Sequence, residues 1–386
     1  MRTAEVVIVG GGVVGASVAY HLAAHGCRDV LVLERAGRLG EGSTGRATGG
    51  FRAQFGTEVN IRLSLLSREK LVNFKDETGV DPGFRQYGYL FLARAEDELA
   101  ALAGAQSLQR ACGLREARAV SAEEIAGLNP ALHLGEIKGG VYCPTDGFIR
   151  PLEILRGYTE AAARLGVRFE YGVALESARR KGTRIETLST TAGEVSAGAY
   201  VNAAGAWAGE VAKKAGVEIP VTPLRRQVAI THPFAHLPEE MPMTVYAGDG
   251  FHLRVHDGRV LLLWPDDPRA ADPFGTNVED EWLAKVVARA HARVPVLRRA
   301  EIDRERCWAG LYEMTPDKHA LLGRAEGTDN LYLANGSSGH GVMHAPALGQ
   351  LLAEIILDGA AKTLDTHALR PSRFAEGRPN TGPALL

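Results

Sequence analysis

The hydrophobic positions of the first forty residues predict a strand, a helix and a second strand. Val6 to Val9 is an unbroken apolar run of the kind found in buried parallel strands, and Val30 to Leu33 repeats it. Between these runs, Ala16 to Ala24 supplies small and apolar residues over the length of a short helix. The chain therefore opens with a β-α-β unit.

Later segments show the same two periodicities. Apolar residues at helical spacing predict helices over Ile61 to Thr78 and Leu152 to Leu165, while Tyr87 to Leu92 alternates like a strand. A strand over Val167 to Tyr171 follows Gly166, which ends the preceding helix and makes another parallel α/β unit. Further strands are predicted over Arg184 to Thr190, Gly193 to Val201 and Leu331 to Ala334, the last followed by a helix through Ile356.

The middle of the chain has a different pattern. Phe251 to Trp264 predicts two antiparallel strands, because Asp257-Gly258 is a preferred two-residue hairpin turn. A chain of 386 residues also exceeds the usual size of one compact domain. We therefore predict an α/β protein in which a discontinuous nucleotide-binding domain is interrupted by a substrate domain with an antiparallel sheet.

The first strand runs into a dinucleotide-binding fingerprint, Gly10-Gly11-Gly12-Val13-Val14-Gly15. Gly10, Gly12 and Gly15 stand where a side chain would block phosphate or helix packing, and the helix that follows points its first amides at the phosphates. Glu34 ends the second strand about 20 residues later, where a carboxylate can accept ribose hydroxyls. This acid argues against NADP and leaves NAD and FAD open.

Two more glycine-rich turns lie at strand ends, in Val201 to Trp207 and in Asn335 to Gly341. Each leads towards a helix, so each allows backbone to approach a ligand closely. Three such turns, far apart in sequence, fit a cofactor longer than the part of NAD that one β-α-β unit binds. They favour FAD.

The composition of the chain restricts the kinds of partner and the cellular location that we expect. The 44 basic and 46 acidic residues leave a net charge of −2, which predicts neither a nucleic-acid partner nor an anionic membrane surface. No apolar stretch approaches the ~20 residues of a membrane helix, and the first strand begins too early for a signal peptide. Four scattered cysteines without a Cys-x-x-Cys pair suit neither a disulfide framework nor a metal site, so we predict reduced thiols and a cytoplasmic protein.

Five motifs together resemble the D-amino-acid oxidase superfamily of flavoenzymes, most closely its sarcosine oxidase and glycine oxidase branch, including sarcosine oxidase β-subunits. The resemblance covers essentially the whole chain. The motifs are Val6 to Gly15 with Glu34-Arg35, Gly42 to Arg52, Val201 to Ala208, Trp308 to Asp317, and Gly339-His340-Gly341.

The resemblance implies a Rossmann-like FAD-binding domain built from residues 1–84, 147–219 and 316–386. It implies a substrate-binding α+β domain, with a mostly antiparallel sheet, from residues 85–146 and 220–315. It also implies non-covalent FAD: Cys307 lies a few residues before the position of the attaching cysteine, where Gly310 stands, and Arg46 and Thr145 stand near the histidine positions of other branches.

The FAD contacts that the resemblance implies come from the glycine turns and the loop that follows the second strand. The turn from Gly336 to Val342 would face the pyrimidine edge of the flavin, where a helix N-terminus stabilises negative charge. The full set is Gly10, Gly12, Val13, Val14, Gly15, Glu34, Arg35, Ser43, Thr44, Arg46, Ala47, Thr48, Gly49, Leu175, Ala204, Gly205, Trp207, Gly310, Gly336, Ser338, Gly339, His340, Gly341, Val342 and Met343.

The activity implied is oxidation of the C–N bond of a small amine or amino acid, such as sarcosine, glycine or proline, to an imine by hydride transfer to flavin N5. Arg52 stands where the family binds the substrate carboxylate, and an arginine fork suits that task. His340 either orients the reacting groups or is satisfied by backbone. Tyr246, His252 and Arg254 lie on the mid-chain sheet, with His252 and Arg254 on one face. Each of them is a candidate for contact with the substrate, and the alternative is that it is a polar residue facing solvent. Trp308 and Tyr312 are candidates for the pocket wall or for the core.

Two departures from the family leave the acceptor and the substrate open. Met343 stands where sarcosine oxidases carry a second carboxylate-binding lysine, and Leu261 to Pro265 lacks the lysine that activates oxygen in the oxidases. Electrons could therefore pass to oxygen or to a protein acceptor. Three interpretations remain at this point: an oxidase, the catalytic β-like subunit of a hetero-oligomeric dehydrogenase, and a non-catalytic flavin-binding assembly protein. Homo- and hetero-oligomers are both compatible with the sequence.

Overall fold

The computed structural model of the protein describes residues 2–265 and 272–382. Its helices are α1 (Val13–Ala24), α2 (Ser43–Arg46), α3 (Glu58–Thr78), α4 (Glu96–Ala111), α5 (Ala122–Leu128), α6 (Pro151–Arg164), α7 (Ala208–Lys214), α8 (Asp280–Arg293) and α9 (Gly341–Asp358). Its strands are β1 (Arg2–Val9), β2 (Val30–Glu34), β3 (Gly50–Phe51), β4 (Tyr89–Ala93), β5 (Arg118–Val120), β6 (Gly139–Cys143), β7 (Gly147–Phe148), β8 (Arg168–Tyr171), β9 (Leu175–Lys181), β10 (Arg184–Thr190), β11 (Gly193–Asn202), β12 (Thr222–Ile230), β13 (Met243–Tyr246), β14 (His252–His256), β15 (Arg259–Leu263), β16 (Trp308–Met314), β17 (Leu321–Arg324) and β18 (Leu331–Asn335).

The first large sheet has a parallel centre. Its order is β17-β18-β11-β1-β2-β8, with β1 parallel to both β11 and β2, and the hairpin of β9 and β10 continues from β11. The strands β11 and β18 are also parallel, so β1, β11 and β18 present their carboxyl ends at one edge. Helices α1 and α9 follow β1 and β18 respectively, and both begin at this edge.

The second large sheet is mostly antiparallel. Its order is β16-β12-β15-β14-β13-β4-β6-β5, and β13 with β4 forms its parallel pair. Helix α8 covers one face of this sheet, where Trp282 and Val286 share a core with Leu253 and Leu262. The opposite face contributes Phe91 and other apolar residues to the core beside α1 and α6.

These elements confirm the α/β fold predicted from the sequence. The predicted helix over Ile61 to Thr78 begins three residues earlier, at Glu58, and the predicted hairpin is present with Asp257 at φ 49° and Gly258 at φ 70°. The strands of the first sheet come from three separate stretches of the chain, with those of the second sheet between them. The domain boundaries themselves stay a prediction. None of the helices within residues 2–265 and 272–382 has the length and hydropathy needed to span a lipid bilayer.

The contact between α1 and α9 fixes the position of both helix N-termini. Val18 and Leu22 of α1 share a buried core with Leu348 and Leu352 of α9. At the closest approach, a Cβ placed on Gly349 would lie 2.1 Å from Ser17 Oγ and 2.7 Å from the Ser17 carbonyl carbon. The two helices can therefore pack at this distance only with a glycine at position 349.

We expect Gly349→Ala to lower the free energy of unfolding by about 1–3 kcal/mol, because the extra methyl group must push the two helices apart. Urea denaturation of the FAD-loaded protein measures this. Gly104→Ala is the matched control, because Gly104 is an exposed residue of α4 where an added Cβ meets nothing within 4 Å. The control should be unchanged or up to about 1 kcal/mol more stable. A Gly349→Ala protein as stable as the wild type would contradict the packing constraint.

Candidate active site

A cavity of about 840 Å³ lies where the carboxyl ends of β1, β2 and β11 approach the inner face of the second sheet. Residues from six strands of the second sheet, β4 and β12 to β16, line one side of it. The first turns of α1 and α9 and the loop of residues 40–52 line the other side. The cavity therefore joins the glycine turns that are far apart in sequence.

The glycines of the fingerprint have two different tasks. A Cβ on Gly10 would lie 2.3 Å from the Ala203 carbonyl oxygen, and a Cβ on Gly15 would lie 2.0 Å from the Gly10 carbonyl oxygen. These two glycines therefore allow strand and helix to pack. Gly12 and Gly205 line the cavity, as Gly10 does, but have room for an added Cβ. The nearest atom to such a Cβ is Thr44 Oγ1 at 3.4 Å for Gly12, and no atom lies within 4 Å for Gly205. A side chain at either position would project into the cavity.

Glu34 is held at the cavity wall by backbone amides. Its Oε2 accepts a hydrogen bond from the Gly11 N–H and its Oε1 accepts one from the Ala36 N–H, both at 2.8 Å. Each oxygen keeps a further lone pair that can accept from a ribose hydroxyl. Beside it the Arg35 guanidinium stacks at 3.7 Å over the Trp207 ring, and both of these predicted residues line the cavity.

The loop after β2 is tied to β16. Ser43 Oγ donates to the Leu311 carbonyl at 2.7 Å, and Arg46 Nη1 donates to the Ala309 carbonyl at 2.9 Å. In return, Trp308 Nε1 donates to the Arg46 carbonyl at 2.8 Å. Trp308 therefore positions the loop from outside the wall, while its neighbour Tyr312 lines the cavity itself.

The N-terminus of α9 opens into the other end of the cavity. No side chain caps this 18-residue helix, and the residues of its first turn, His340, Gly341, Val342 and Met343, line the wall. Uncapped amides and the helix dipole stabilise negative charge. The dipole of helix α1 offers the same property at the phosphate end, where Gly12 is the N-cap residue and the Val13 N–H donates to Thr44 Oγ1 at 3.1 Å.

These features fit FAD. The cavity carries open glycines and free helix amides for a pyrophosphate, an oriented carboxylate for a ribose, and a second helix N-terminus for the anionic side of a flavin. They define a flavin-dependent oxidoreductase. Residues 5–355 match the family of FAD dependent oxidoreductases (DAO), and the chain belongs to that family.

Known proteins agree with this assignment. The fold is similar to L-proline dehydrogenase from P. horikoshii, with a TM-score of 0.90 and 30% identity over 98% of this chain and 100% of that one. Glycine oxidase from Geobacillus kaustophilus matches with a TM-score of 0.84 and 25% identity, covering 97% and 99%. In sequence, the chain is 30% identical to mitochondrial dimethylglycine dehydrogenase of Rattus norvegicus. The alignment covers 97% of this chain but only 45% of that relative. The resemblance, the fold class and FAD as cofactor are confirmed.

Arg52 is a buried cation on the cavity wall. Its side chain is almost fully buried, donates to the Gln54 carbonyl from Nη1, and donates to His340 Nε2 from Nη2 at 3.4 Å. The guanidinium also lies 4.0 Å from the centre of the Phe55 ring. Burial lowers the pKa of Arg52 to about 10, which leaves the group charged at neutral pH.

Two neutral histidines line the same cavity as this cation. Burial lowers the pKa of His340 well below its usual value, and the charge of Arg52 lowers it further. Burial also lowers the pKa of His252 to about 4. Since the Gly250 carbonyl can only accept, the contact of 2.8 Å from His252 Nδ1 requires a proton on that nitrogen and leaves the lone pair on Nε2.

Tyr246 and Arg254 lie elsewhere than the sequence predicted. Val245 pairs directly with His252, so the two share a face, and Tyr246 points to the other face of the sheet. Arg254 shares the face of His252 but lies behind the wall, where Nη1 donates to the Thr48 carbonyl at 2.8 Å and to the Gly49 carbonyl at 3.2 Å. Arg254 therefore supports the loop of residues 40–52 that lines the cavity.

Two of the predicted cofactor glycines also stand outside the wall. Gly15 packs against Gly10, as described above, and a Cβ on Gly336 would lie 2.4 Å from Thr315 Cγ2. Both residues shape the turns without lining the cavity. The other predicted cofactor residues, together with Arg52 and His252, do line it.

The sequence analysis missed several residues of the wall. Tyr89, Arg226 and Glu313 line the cavity from β4, β12 and β16, and Glu313 Oε1 accepts from the Ser337 N–H at 3.1 Å. A polar residue on the inward face of a strand could have indicated the cavity wall. The alternating pattern identifies such a residue only when it is known which face of the strand points inward.

Asp146 is a buried acid behind the Arg52 segment. Its Oδ1 accepts from the Ala53 N–H at 2.8 Å and its Oδ2 accepts from Gln54 Nε2 at 3.0 Å. Burial raises the pKa of Asp146 to about 6, although both hydrogen bonds and the charge of Arg52 oppose this rise. Asp146 therefore positions the residues that follow Arg52 without lining the cavity.

We expect Gly10→Ala to abolish FAD retention, because the methyl group would overlap the Ala203 carbonyl. Gly26→Ala is the matched control: Gly26 has φ 100° against 112° for Gly10, but an added Cβ meets nothing within 4 Å. The flavin-to-protein absorbance ratio of the purified variants measures the difference. Full FAD content in Gly10→Ala would contradict the account, and an equal loss of FAD in both variants would assign the effect to backbone strain and not to the contact with Ala203.

The raised pKa of Asp146 predicts that the free energy of unfolding depends on pH. The folded protein holds this proton more tightly than an unfolded chain, whose carboxyl titrates near 3.8, so stability is lost as the pH rises through about 6. In Asp146→Asn this loss is absent. The free energy of unfolding of the wild type should therefore fall relative to that of Asp146→Asn as the pH rises from 3.8 to about 6, as measured by urea denaturation. A difference independent of pH would show that Asp146 does not titrate there.

Proposed function

We propose that the protein oxidises the C–N bond of a small amine or amino acid of the sarcosine, glycine or proline type to an imine. The observation that carries this proposal is Arg52, a buried and charged guanidinium on the wall of the FAD cavity, which the neutral His252 and His340 also line. The names of the relatives, which include a proline dehydrogenase, a glycine oxidase and a dimethylglycine dehydrogenase, support the same chemistry.

Arg52 binds the carboxylate of the substrate. A guanidinium presents two parallel N–H donors to a carboxylate, and in a buried site this ion pair also fixes the orientation of the bound molecule. The Nη2 contact with His340 and the Phe55 ring under the guanidinium restrict the rotamer of Arg52. The carboxylate therefore places the amine and its neighbouring carbon at one position in the cavity.

His252 accepts a hydrogen bond from the substrate amine. Oxidation needs an unprotonated amine, whose lone pair assists departure of the hydride, and small amines in water are mostly protonated at neutral pH. The Nε2 of His252 is an acceptor because Nδ1 carries the proton, and the low pKa keeps it uncharged before the substrate binds. The burial and the positive charge of Arg52 that lower the pKa of His252 also favour the unprotonated amine over the ammonium form.

Bound in this cavity, FAD would supply the oxidising power for removal of the hydride, and water would hydrolyse the resulting imine. The chain supplies the electrostatic stabilisation. The uncapped amides of α9 lie at the wall where negative charge develops, and Arg46 and Arg226 add positive charge around the same cavity.

The second candidate is a dehydrogenase subunit that passes electrons to a protein partner. In the described part of the chain, Lys214 is the lysine on the cavity wall, and its Nζ donates to the Leu175 carbonyl at 2.8 Å. Leu263, in the stretch where the oxidases place their oxygen-activating lysine, lines the cavity as an apolar residue. This favours an acceptor other than oxygen and a hetero-oligomeric assembly.

We also propose non-covalent FAD and a cytoplasmic location. The four cysteines, Cys27, Cys112, Cys143 and Cys307, are free thiols, and none of them lines the described cavity. Cys307 Sγ contacts the Asp303 carbonyl at 3.4 Å instead. Free thiols suit a reducing compartment.

Anaerobic addition of sarcosine, glycine or L-proline to the FAD-loaded protein should bleach the flavin. Recolouring in air identifies an oxidase, and persistence of the bleached state identifies the dehydrogenase. A flavin that stays oxidised with every member of a broad amine panel would contradict the catalytic proposal and favour the flavin-binding assembly protein.

Arg52→Met should raise KM for carboxylated amines by about a hundredfold or more, because the lost ion pair is buried, on the order of 3 kcal/mol. The matched comparison is the amine without the carboxylate, for example pyrrolidine against L-proline, for which KM should hardly change. Arg254→Met is the control for loss of a buried arginine outside the wall. An equal KM for L-proline in the Arg52→Met protein and the wild type would remove Arg52 from the site.

A further inference from the structure

A second cavity, of about 410 Å³, lies on the face of the second sheet that points away from the FAD cavity. Tyr246 at the end of β13 forms its floor, and α8 and the segment after α5 form its sides. Its lining residues are Arg94, His133, Glu136, Ile137, Tyr246, Ala288, Arg289, Ala292 and Arg293. The proposed amine oxidation uses none of them.

Two buried hydrogen-bond donors have no partner here. The Tyr246 hydroxyl and Arg94 Nε are both inaccessible to solvent, and neither makes a hydrogen bond within the described residues. Tyr246 is 1% exposed as a whole. Burial raises its pKa to about 12, so its hydroxyl keeps its proton at neutral pH. Leaving such groups without partners is unfavourable, and a bound acceptor would remove that penalty.

The lining residues include three arginines and one carboxylate. Arg293 is committed to Asp249 by two hydrogen bonds of 2.9 and 2.7 Å, and Arg289 contacts the same acid at 3.5 Å and stacks on Trp264. Arg94 pairs with Glu136 through a single contact of 3.4 Å, and the Glu136 side chain is 75% exposed. An exposed pair of this kind is weak, so a ligand can displace Glu136 from Arg94.

We propose that this cavity binds a small organic carboxylate. A carboxylate that displaces Glu136 from Arg94 offers one acceptor to each of the two unpartnered donors, the Tyr246 O–H and the Arg94 Nε–H, and its charge suits the arginines. Inorganic phosphate shares the acceptor chemistry. Ile137, Ala288 and Ala292 add apolar surface to the same cavity, and this favours an anion that carries a carbon skeleton.

Isothermal titration of the FAD-loaded protein with succinate tests the proposal, with inorganic phosphate and butane-1,4-diol as comparison ligands. Tyr246→Phe and Arg94→Lys should each weaken succinate binding by about tenfold, since each removes one hydrogen bond to a charged acceptor. Tyr142→Phe is the matched control, because Tyr142 lies on the same sheet at the same distance, 5.8 Å, from an arginine, yet lines neither cavity. It should bind succinate like the wild type.

Arg52→Met separates the two cavities. Succinate binding that survives Arg52→Met and weakens in Tyr246→Phe supports the second site. Binding that is lost in Arg52→Met and unchanged in Tyr246→Phe places succinate in the FAD cavity and overturns the proposal. Absence of any heat, or equal binding of phosphate or the diol, overturns it too. FAD content and circular dichroism of each variant establish that the fold is intact.

Discussion

Direct contact between backbones at one edge of the first sheet is the constraint on which the rest of this structure depends. The strand β1 meets the segment after β11 at Gly10 and Ala203, and α1 meets α9 at Ser17 and Gly349, each with no room for an added Cβ. Because these contacts are so close, the first turns of both helices reach the same cavity. A larger residue at any of these points would displace a helix N-terminus from the ligand that it faces.

Burial determines the charge states at the substrate end of the cavity. The same desolvation that keeps His252 and His340 neutral leaves Arg52 charged, because a guanidinium starts from a far higher pKa. A fixed cation beside neutral acceptors suits a molecule with a carboxylate and an ammonium group. Asp146 holds the backbone beyond Arg52 from behind, through the Ala53 N–H and the Gln54 side chain.

The sequence predicted best what local backbone geometry determines. The glycine turns, the Glu34 carboxylate and the loop carrying Arg52 follow from short motifs, and the cavity contains most of their residues. Tyr246 was placed wrongly because its face depends on the pairing of Val245 with His252, which no local pattern specifies. Asp146 was missed because it meets Ala53 across 93 positions of the chain. Contacts between distant segments decide which polar residues reach the wall and which support it from behind.

A crystal structure of the FAD-loaded protein with a non-reacting carboxylated amine analogue, such as pyrrole-2-carboxylate, tests the central claim most directly. We expect the carboxylate within hydrogen-bond distance of the Arg52 guanidinium, and the ring nitrogen on the side of His252. An analogue whose carboxylate lies away from the Arg52 guanidinium would contradict the account.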